Sequence, residues 1–248
     1  QMSYENFARV YDKLTFNVDY HKTAAIYDSL IVRHGGQRGI LLDLACGTGS
    51  LSMEFDQLEY DVIGVDASEA MLSQALEKKI EQGGNSVIYL CQTMQELDLY
   101  GTIDVTVCAL DSINHITDPN ELKAAFAKVS LFTNPGGLFL FDANTVYKHE
   151  QILGSHTFIY DEPDVYCVWQ NTPAKNIMTR IELDLFICEP DGRYERCGEQ
   201  FYERAYPHET LCALLEETGF SLEAVYDEDG KSEPNSHSQR LIYVAKKK

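Results

Sequence analysis

Five short apolar runs, most of them separated by segments of helical period, constrain this chain more than any other feature. They cover residues 40–44, 61–66, 86–90, 104–108 and 137–141. Between them, Met71, Leu72, Ala75, Leu76 and Ile80 form one helical stripe that stops at Gly83-Gly84, and Leu122, Ala125, Phe126 and Val129 form another. The second helix opens on Asp118-Pro119-Asn120-Glu121, a cap residue followed by proline at the first position and an acid three residues after the cap. Strands that are apolar end to end and alternate with helices predict a mostly parallel sheet buried on both faces. Ahead of them, residues 3–34 read as two helical stretches, with Phe7, Val10, Tyr11 and Leu14 spaced for one face.

The programme changes near residue 150. Ile177, Ile181, Leu183, Leu185 and Ile187 alternate with Arg180, Glu182 and Asp184, the pattern of a half-exposed strand. A turn signal at Asp191-Gly192 leads into a second strand-like run, so residues 150–206 are expected to form an antiparallel β insertion. A helix over about 207–218 and two final strands, 221–226 and 240–245, complete the chain. No helical pattern separates those two strands, so they are expected to pair antiparallel. The fold class expected is α/β: a doubly wound, mostly parallel seven-stranded sheet. One domain of residues 1–149 and 207–248 would carry the insertion of 150–206. The total of 248 residues is enough for that arrangement.

Thirty-nine acids against 20 bases leave a net charge of −19, a field that repels phosphate backbones and argues against a nucleic-acid partner. Seven cysteines are odd in number, scattered, and form no metal-ligand spacing. With no signal peptide after Gln1-Met2, where Gln1 reads as an added residue, and no run of ~18 apolar residues, a cytoplasmic protein without a membrane span is expected.

The most specific local signal is Asp43-Leu44-Ala45-Cys46-Gly47-Thr48-Gly49, between the first strand and a helix. Gly47 and Gly49 allow a tight turn and close approach of a ligand to backbone amides. Asp66, 19 residues after Gly47 at the end of the second strand, is placed to accept both hydroxyls of a ribose. A helix-capping role is its structural alternative. Ser52 stands where a dinucleotide fingerprint wants its third glycine. Asp43 at the mouth of the turn would repel a pyrophosphate but suits an ammonium and a sulfonium. These points favour S-adenosylmethionine over a nicotinamide cofactor.

At these residues the chain resembles the class I S-adenosylmethionine-dependent methyltransferases, in particular a bacterial small-molecule-type subgroup. Asp43 to Gly49 resembles the first motif of that family and Val62 to Ser68, followed by Met71-Leu72, the second. Tyr4, Phe7, Ala8, Tyr11, Asp12 and Leu14 resemble an N-terminal lid, Cys108 to His115 the fourth motif, and Phe141 to Thr145 the end of strand five. The resemblance implies that Asp43 and the backbone at Ala45 and Gly47 hold the methionine end and that Asp66 binds the ribose. It implies that Ala67 and Met71 line the adenine, that Leu110 sits near the sulfonium, and that Tyr11 closes over the cofactor. Thr93-Met94 stands where the family often has an acid before methionine, so adenine recognition there would rest on Thr93 and the backbone at Met94.

The function expected is in-line methyl transfer from S-adenosylmethionine to a small-molecule acceptor, leaving S-adenosylhomocysteine. Alignment and exclusion of water are the main tasks, so no nucleophile is required. An acceptor hydroxyl or amine needs a base, for which His115, Asp142 and Tyr206 are the candidates. Asp111, Asp142 and Asn144 fall where catechol-type methyltransferases keep magnesium, but Ala143 interrupts the pair and no metal is expected. The insertion carries Phe158, Tyr160, Tyr166, Trp169, Phe186, Tyr194, Phe201 and Tyr202, which would either wall the acceptor pocket or serve strand packing or a dimer contact. The chain is expected as a monomer or homodimer. RNA or protein methylation and a non-catalytic cofactor-binding role are the alternatives.

Overall fold

Strands without a polar face need cover on both sides, and the computed structural model shows how they obtain it. It describes residues 11, 12, 15, 18–83 and 86–248. Strands β1 (Ile40–Leu44), β2 (Asp61–Asp66), β3 (Ile88–Cys91), β4 (Ile103–Cys108) and β5 (Thr133–Asn144) pair in parallel. The hairpin of β10 (Phe220–Asp227) and β11 (Arg240–Lys247) adds to β5 through β11, which runs antiparallel to both its neighbours. The sheet order is β10-β11-β5-β4-β1-β2-β3, so the doubly wound seven-stranded sheet and its antiparallel end are as expected.

Helices α1 (Tyr20–Arg33) and α2 (Ser50–Gln57) cover one face, where Tyr27, Leu30, Phe55 and Tyr60 meet Leu41, Val105 and Leu140. On the other face α4 (Pro119–Phe132) and α5 (His208–Glu217) bury Phe126, Leu211 and Leu215 against Phe139, Phe141 and Tyr243. Helix α3 (Glu69–Gln82) follows β2 and starts at Ser68, whose hydroxyl caps the Met71 amide. The strand order reverses between β1 and β4, which opens a crevice at their C-terminal ends, the usual ligand position in such sheets. No helix among the described residues is long and apolar enough to cross a membrane.

A separate four-stranded antiparallel sheet is made by β6 (Thr157–Glu162), β7 (Val165–Ala174), β8 (Met178–Cys188) and β9 (Tyr194–Arg204). Along β8, Thr179, Ile181, Leu183, Leu185 and Ile187 are buried and the residues between them half-exposed, the alternation expected of this strand. Ile177 departs from it: with Asn176 it has left-handed backbone, φ of 57° and 61°, in the turn that reverses β7 into β8. One buried amide docks β9 onto the large sheet. Asn114 donates to the carbonyls of Arg204 (2.8 Å) and Asn144 (3.2 Å) and accepts from the Asn144 amide (2.9 Å). Of the N-terminal lid expected over residues 4–14, only Tyr11 and Asp12 lie within the described residues.

Candidate functional site

The glycine loop leaves β1 with Ala45, Gly47 and Gly49 all at positive φ. A side chain on Gly49 would collide with the Tyr89 hydroxyl at 2.3 Å, so the turn depends on its absence. Gly47 faces open space instead, which leaves its surface free for a ligand. Asp43 is 2% exposed at the base of this turn and accepts a hydrogen bond from Ser52 Oγ at 2.5 Å. No basic side chain among the described residues pairs with it. Burial, with the Asp66 charge adding to it, pushes Asp43 up to about 7. Such a carboxyl is poised to receive a cation.

Asp66 accepts from the Gly47 amide (2.8 Å) and the Ser68 amide (2.9 Å) and so ties the glycine loop to the end of β2. Ser68, not Asp66, supplies the side-chain cap of α3. With the Ala67 amide as a third donor, Asp66 retains capacity for a further hydrogen bond. Met71 is buried nearby in α3, and Ala67 is exposed beside Asp66. Thr93 precedes a short turn at Met94–Glu96 and donates its hydroxyl to Glu96 (2.9 Å), which leaves the oxygen's lone pairs open. A cavity of about 30 Å³ brings Tyr11, Tyr20, Asp43, Ala45, Gly47 and Leu110 together. A larger one, about 210 Å³, is lined by Asn144, Tyr147, Tyr206, His208 and Tyr243 and includes nothing from the glycine loop. Chemistry, not size, therefore picks the site.

The loop after β4 is shaped by Asp142. Leu110 and Asp111 have left-handed backbone, φ of 57° and 52°, and both donate their amides to this one carboxylate, at 2.8 and 2.5 Å. The Tyr27 hydroxyl adds a third bond at 2.7 Å, and Arg240 Nε stands 3.7 Å away. Asp142, 3% exposed, thus anchors this loop with three hydrogen bonds. Tyr206 is also engaged: it is buried, donates its hydroxyl to the Ile116 carbonyl at 2.5 Å, and carries the Arg204 guanidinium over its ring. Asp111 is held by Arg240 (2.5 Å) and Asn144 Nδ2 (2.9 Å).

His115 lies elsewhere. It ends the turn Ser112–His115 and keeps 46% of its side-chain surface, yet surrounding protein pulls its pKa below the usual imidazole value against the raising influence of Asp111 and Asp66. Phe201 of β9 packs beside its ring at 5.1 Å. Of the aromatics expected to wall an acceptor pocket, Phe201 is the one that meets a site residue. Phe158, Tyr160 and Trp169 pack on one another, and Tyr194 and Tyr202 are exposed. The fold also gathers here Glu203, Lys148 and His149, which sequence reasoning missed. Glu203 could have been found as an acid in phase with Phe201 and Ala205 on the inward side of a strand; nothing local marks the other two.

The family pattern described as "Methyltransferase domain" matches residues 41–137. The protein YqeM of Bacillus subtilis is 29% identical over 99% of this chain and 98% of its own length. A crystal structure described as an S-adenosylmethionine-dependent methyltransferase from Clostridium acetobutylicum is 32% identical, covers 98% of both chains and superposes with a TM-score of 0.89. DesVI of Streptomyces venezuelae, 21% identical with a TM-score of 0.80 over 96% of this chain and 97% of its own, shares the fold.

Proposed function

This chain belongs to the S-adenosylmethionine-dependent methyltransferases, and from that premise we propose that it methylates a small-molecule acceptor held between the β4 loop and the four-stranded sheet. The observation that carries the reading is Asp43: a buried carboxyl with no basic partner among the described residues, at the base of a loop whose Gly47 is open to a ligand. It fits the ammonium of S-adenosylmethionine, which when bound supplies a sulfonium with an already electrophilic methyl.

In this reading Asp43 receives the ammonium, and the backbone at Ala45 and Gly47 holds the methionine end beside it. Gly49 keeps the turn tight, and Asp66 accepts from the ribose hydroxyls. Ala67 and Met71 flank the adenine, with Thr93 and the Met94 backbone at its polar edge. Leu110 borders the methyl. Tyr11, which lines the same small cavity, covers the methionine end and must yield as the ligand enters, since about 30 Å³ holds little more than a water. His115, kept neutral, accepts the proton of an acceptor hydroxyl or amine. The sheet of β6–β9 forms the opposite wall and excludes water. A net charge of −19 and a site enclosed by side chains favour a small molecule over RNA.

Binding is tested by thermal shift with S-adenosylmethionine, S-adenosylhomocysteine and NAD. The two sulfur compounds are expected to stabilise, by ~2.7 kcal/mol at 100 times the dissociation constant, and NAD is not. Methyl transfer from labelled cofactor is then measured against amines, phenols and carboxylates, alongside bulk RNA and protein. Label found only in a macromolecular fraction overturns the small-molecule reading.

A further inference from the structure

Glu203 stands near the end of β9, 5% exposed, between two imidazoles. Its Oε1 faces His115 Nε2 and its Oε2 faces His149 Nε2, each at 3.7 Å. The three residues come from the turn after β4, the helical turn Lys148–Leu153 and the insertion sheet, so only the tertiary fold aligns them. His149 is 3% exposed and its Nδ1 pairs with Thr179 Oγ1 at 2.9 Å, but its buried Nε2 has no hydrogen-bond partner. A buried polar nitrogen left unpaired is costly. Glu203 is the group it faces.

We propose that Glu203 is the positioning residue for His115. One carboxyl oxygen accepts from the His115 Nε2–H, which leaves Nδ1 as the bare nitrogen toward the acceptor, and the other oxygen is held by His149. The 3.7 Å separations become hydrogen bonds on a movement of under about 1 Å, and such contacts commonly tighten when ligands bind. Phe201 beside the His115 ring fixes its plane. This inference rests on His115 acting as the base.

The surrounding charges are consistent with that division of labour. Burial and then Lys148 press His149 down to about 4, so it stays neutral and serves as a fixed support. Burial and then Asp111 raise Glu203 above the usual carboxylate range, against Lys148, Asn144 and Arg240, which lower it. Burial lowers His115, against Asp111 and Asp66. In the transfer, the acceptor's lone pair forms the bond to the methyl carbon, the carbon–sulfur pair returns to sulfur as a neutral thioether, and the acceptor's proton passes to Nδ1. The imidazolium so formed keeps its Nε2–H on the Glu203 carboxyl oxygen.

The test is ¹⁵N NMR of the imidazoles in enzyme saturated with S-adenosylhomocysteine, with His115→Asn to assign the signals. Wild type is expected to show His115 with Nε2 protonated and Nδ1 bare. Glu203→Gln retains an accepting carbonyl and should keep that tautomer while its titration midpoint falls by about one pH unit. Glu203→Leu should lose the tautomer preference. An unchanged His115 tautomer and midpoint in both variants, whatever happens to their melting temperatures, overturns the proposal. If Glu203→Leu does not fold, the midpoint in Glu203→Gln decides alone. Failure to saturate with S-adenosylhomocysteine overturns the cofactor reading instead, and undiminished methyl transfer by His115→Asn overturns the assignment of the base.

Discussion

The two walls of the cleft handle charge in opposite ways. On the cofactor side, Asp43 and Asp66 are turned inward with hydrogen bonds from Ser52, Gly47 and Ser68, and no basic side chain among the described residues neutralises them. On the acceptor side, Asp111 and Asp142 share Arg240, and Lys148 stands on Asn144 at 2.8 Å. The first wall is left electrostatically incomplete, and in the proposed reading its affinity comes from the positive charge a ligand brings. The second has its counter-charges in place, so its acids hold the shape of a loop, and the proposal gives proton transfer to its imidazole. Acidic residues of one sheet thus have unlike surroundings, according to whether the fold supplies their counter-charge.

The sharpest way to break this contrast is Arg240→Met. It leaves Asp142, 3% exposed, and Asp111 without their cation, and should cost about 4 kcal/mol of stability, a fall of about 10 °C in melting temperature. A change of only a degree or two would mean that the acceptor wall does not depend on internal charge balance. On the other wall, Asp66→Ala should leave the melting temperature of the ligand-free protein much closer to wild type. It should weaken S-adenosylhomocysteine binding by about 100-fold, the value of two charge-assisted hydrogen bonds, as measured by calorimetry.

Asp43→Asn should have a smaller effect, about tenfold at pH 8, with a diagnostic pH dependence. Because Asp43 in the empty site titrates at about 7 and the ammonium binds its ionised form, wild-type affinity for S-adenosylmethionine should be level above that pH. Below it, affinity should fall by up to tenfold per unit. The Asn variant should lose that slope, and a slope that persists would move the responsible group elsewhere. The smallest effect concerns the N-terminal segment. Lys78 bridges Asp12 (2.7 Å) and Ser50 (2.5 Å), and Thr48 donates to Asp12 at 2.6 Å. Lys78→Met should release S-adenosylhomocysteine about threefold faster in stopped-flow measurements, the scale of one exposed ion pair.

The cofactor wall was legible in the sequence because its parts are local. A strand, a glycine turn and an acid 19 residues on are fixed by short-range backbone chemistry, and the structure gathers Asp43, Gly47 and Asp66 as that spacing requires. The hairpin of β10 and β11 was legible for a similar reason: no crossover helix lies between them. Strands β6 and β7 were not marked out individually. Strand β7 carries Pro173 and gives only a broken alternation, and its partners are found through the sheet rather than through its own pattern. Ile177 was misread because two left-handed residues, neither of them glycine, make the turn before β8.

The sequence by itself determined the fold class and the tight glycine turn after β1, since apolar periodicity and glycine conformational freedom act over a few residues at a time. Only the tertiary structure decided which partners the three candidate bases have. Asp142 and Tyr206 are bonded to Leu110, Asp111, Tyr27 and Ile116, while His115 is left half-exposed beside Glu203. Those partners are up to 115 residues apart in the chain. A side chain's availability depends on which donors and charges the fold brings to it, and contacts across such separations leave no local pattern to read.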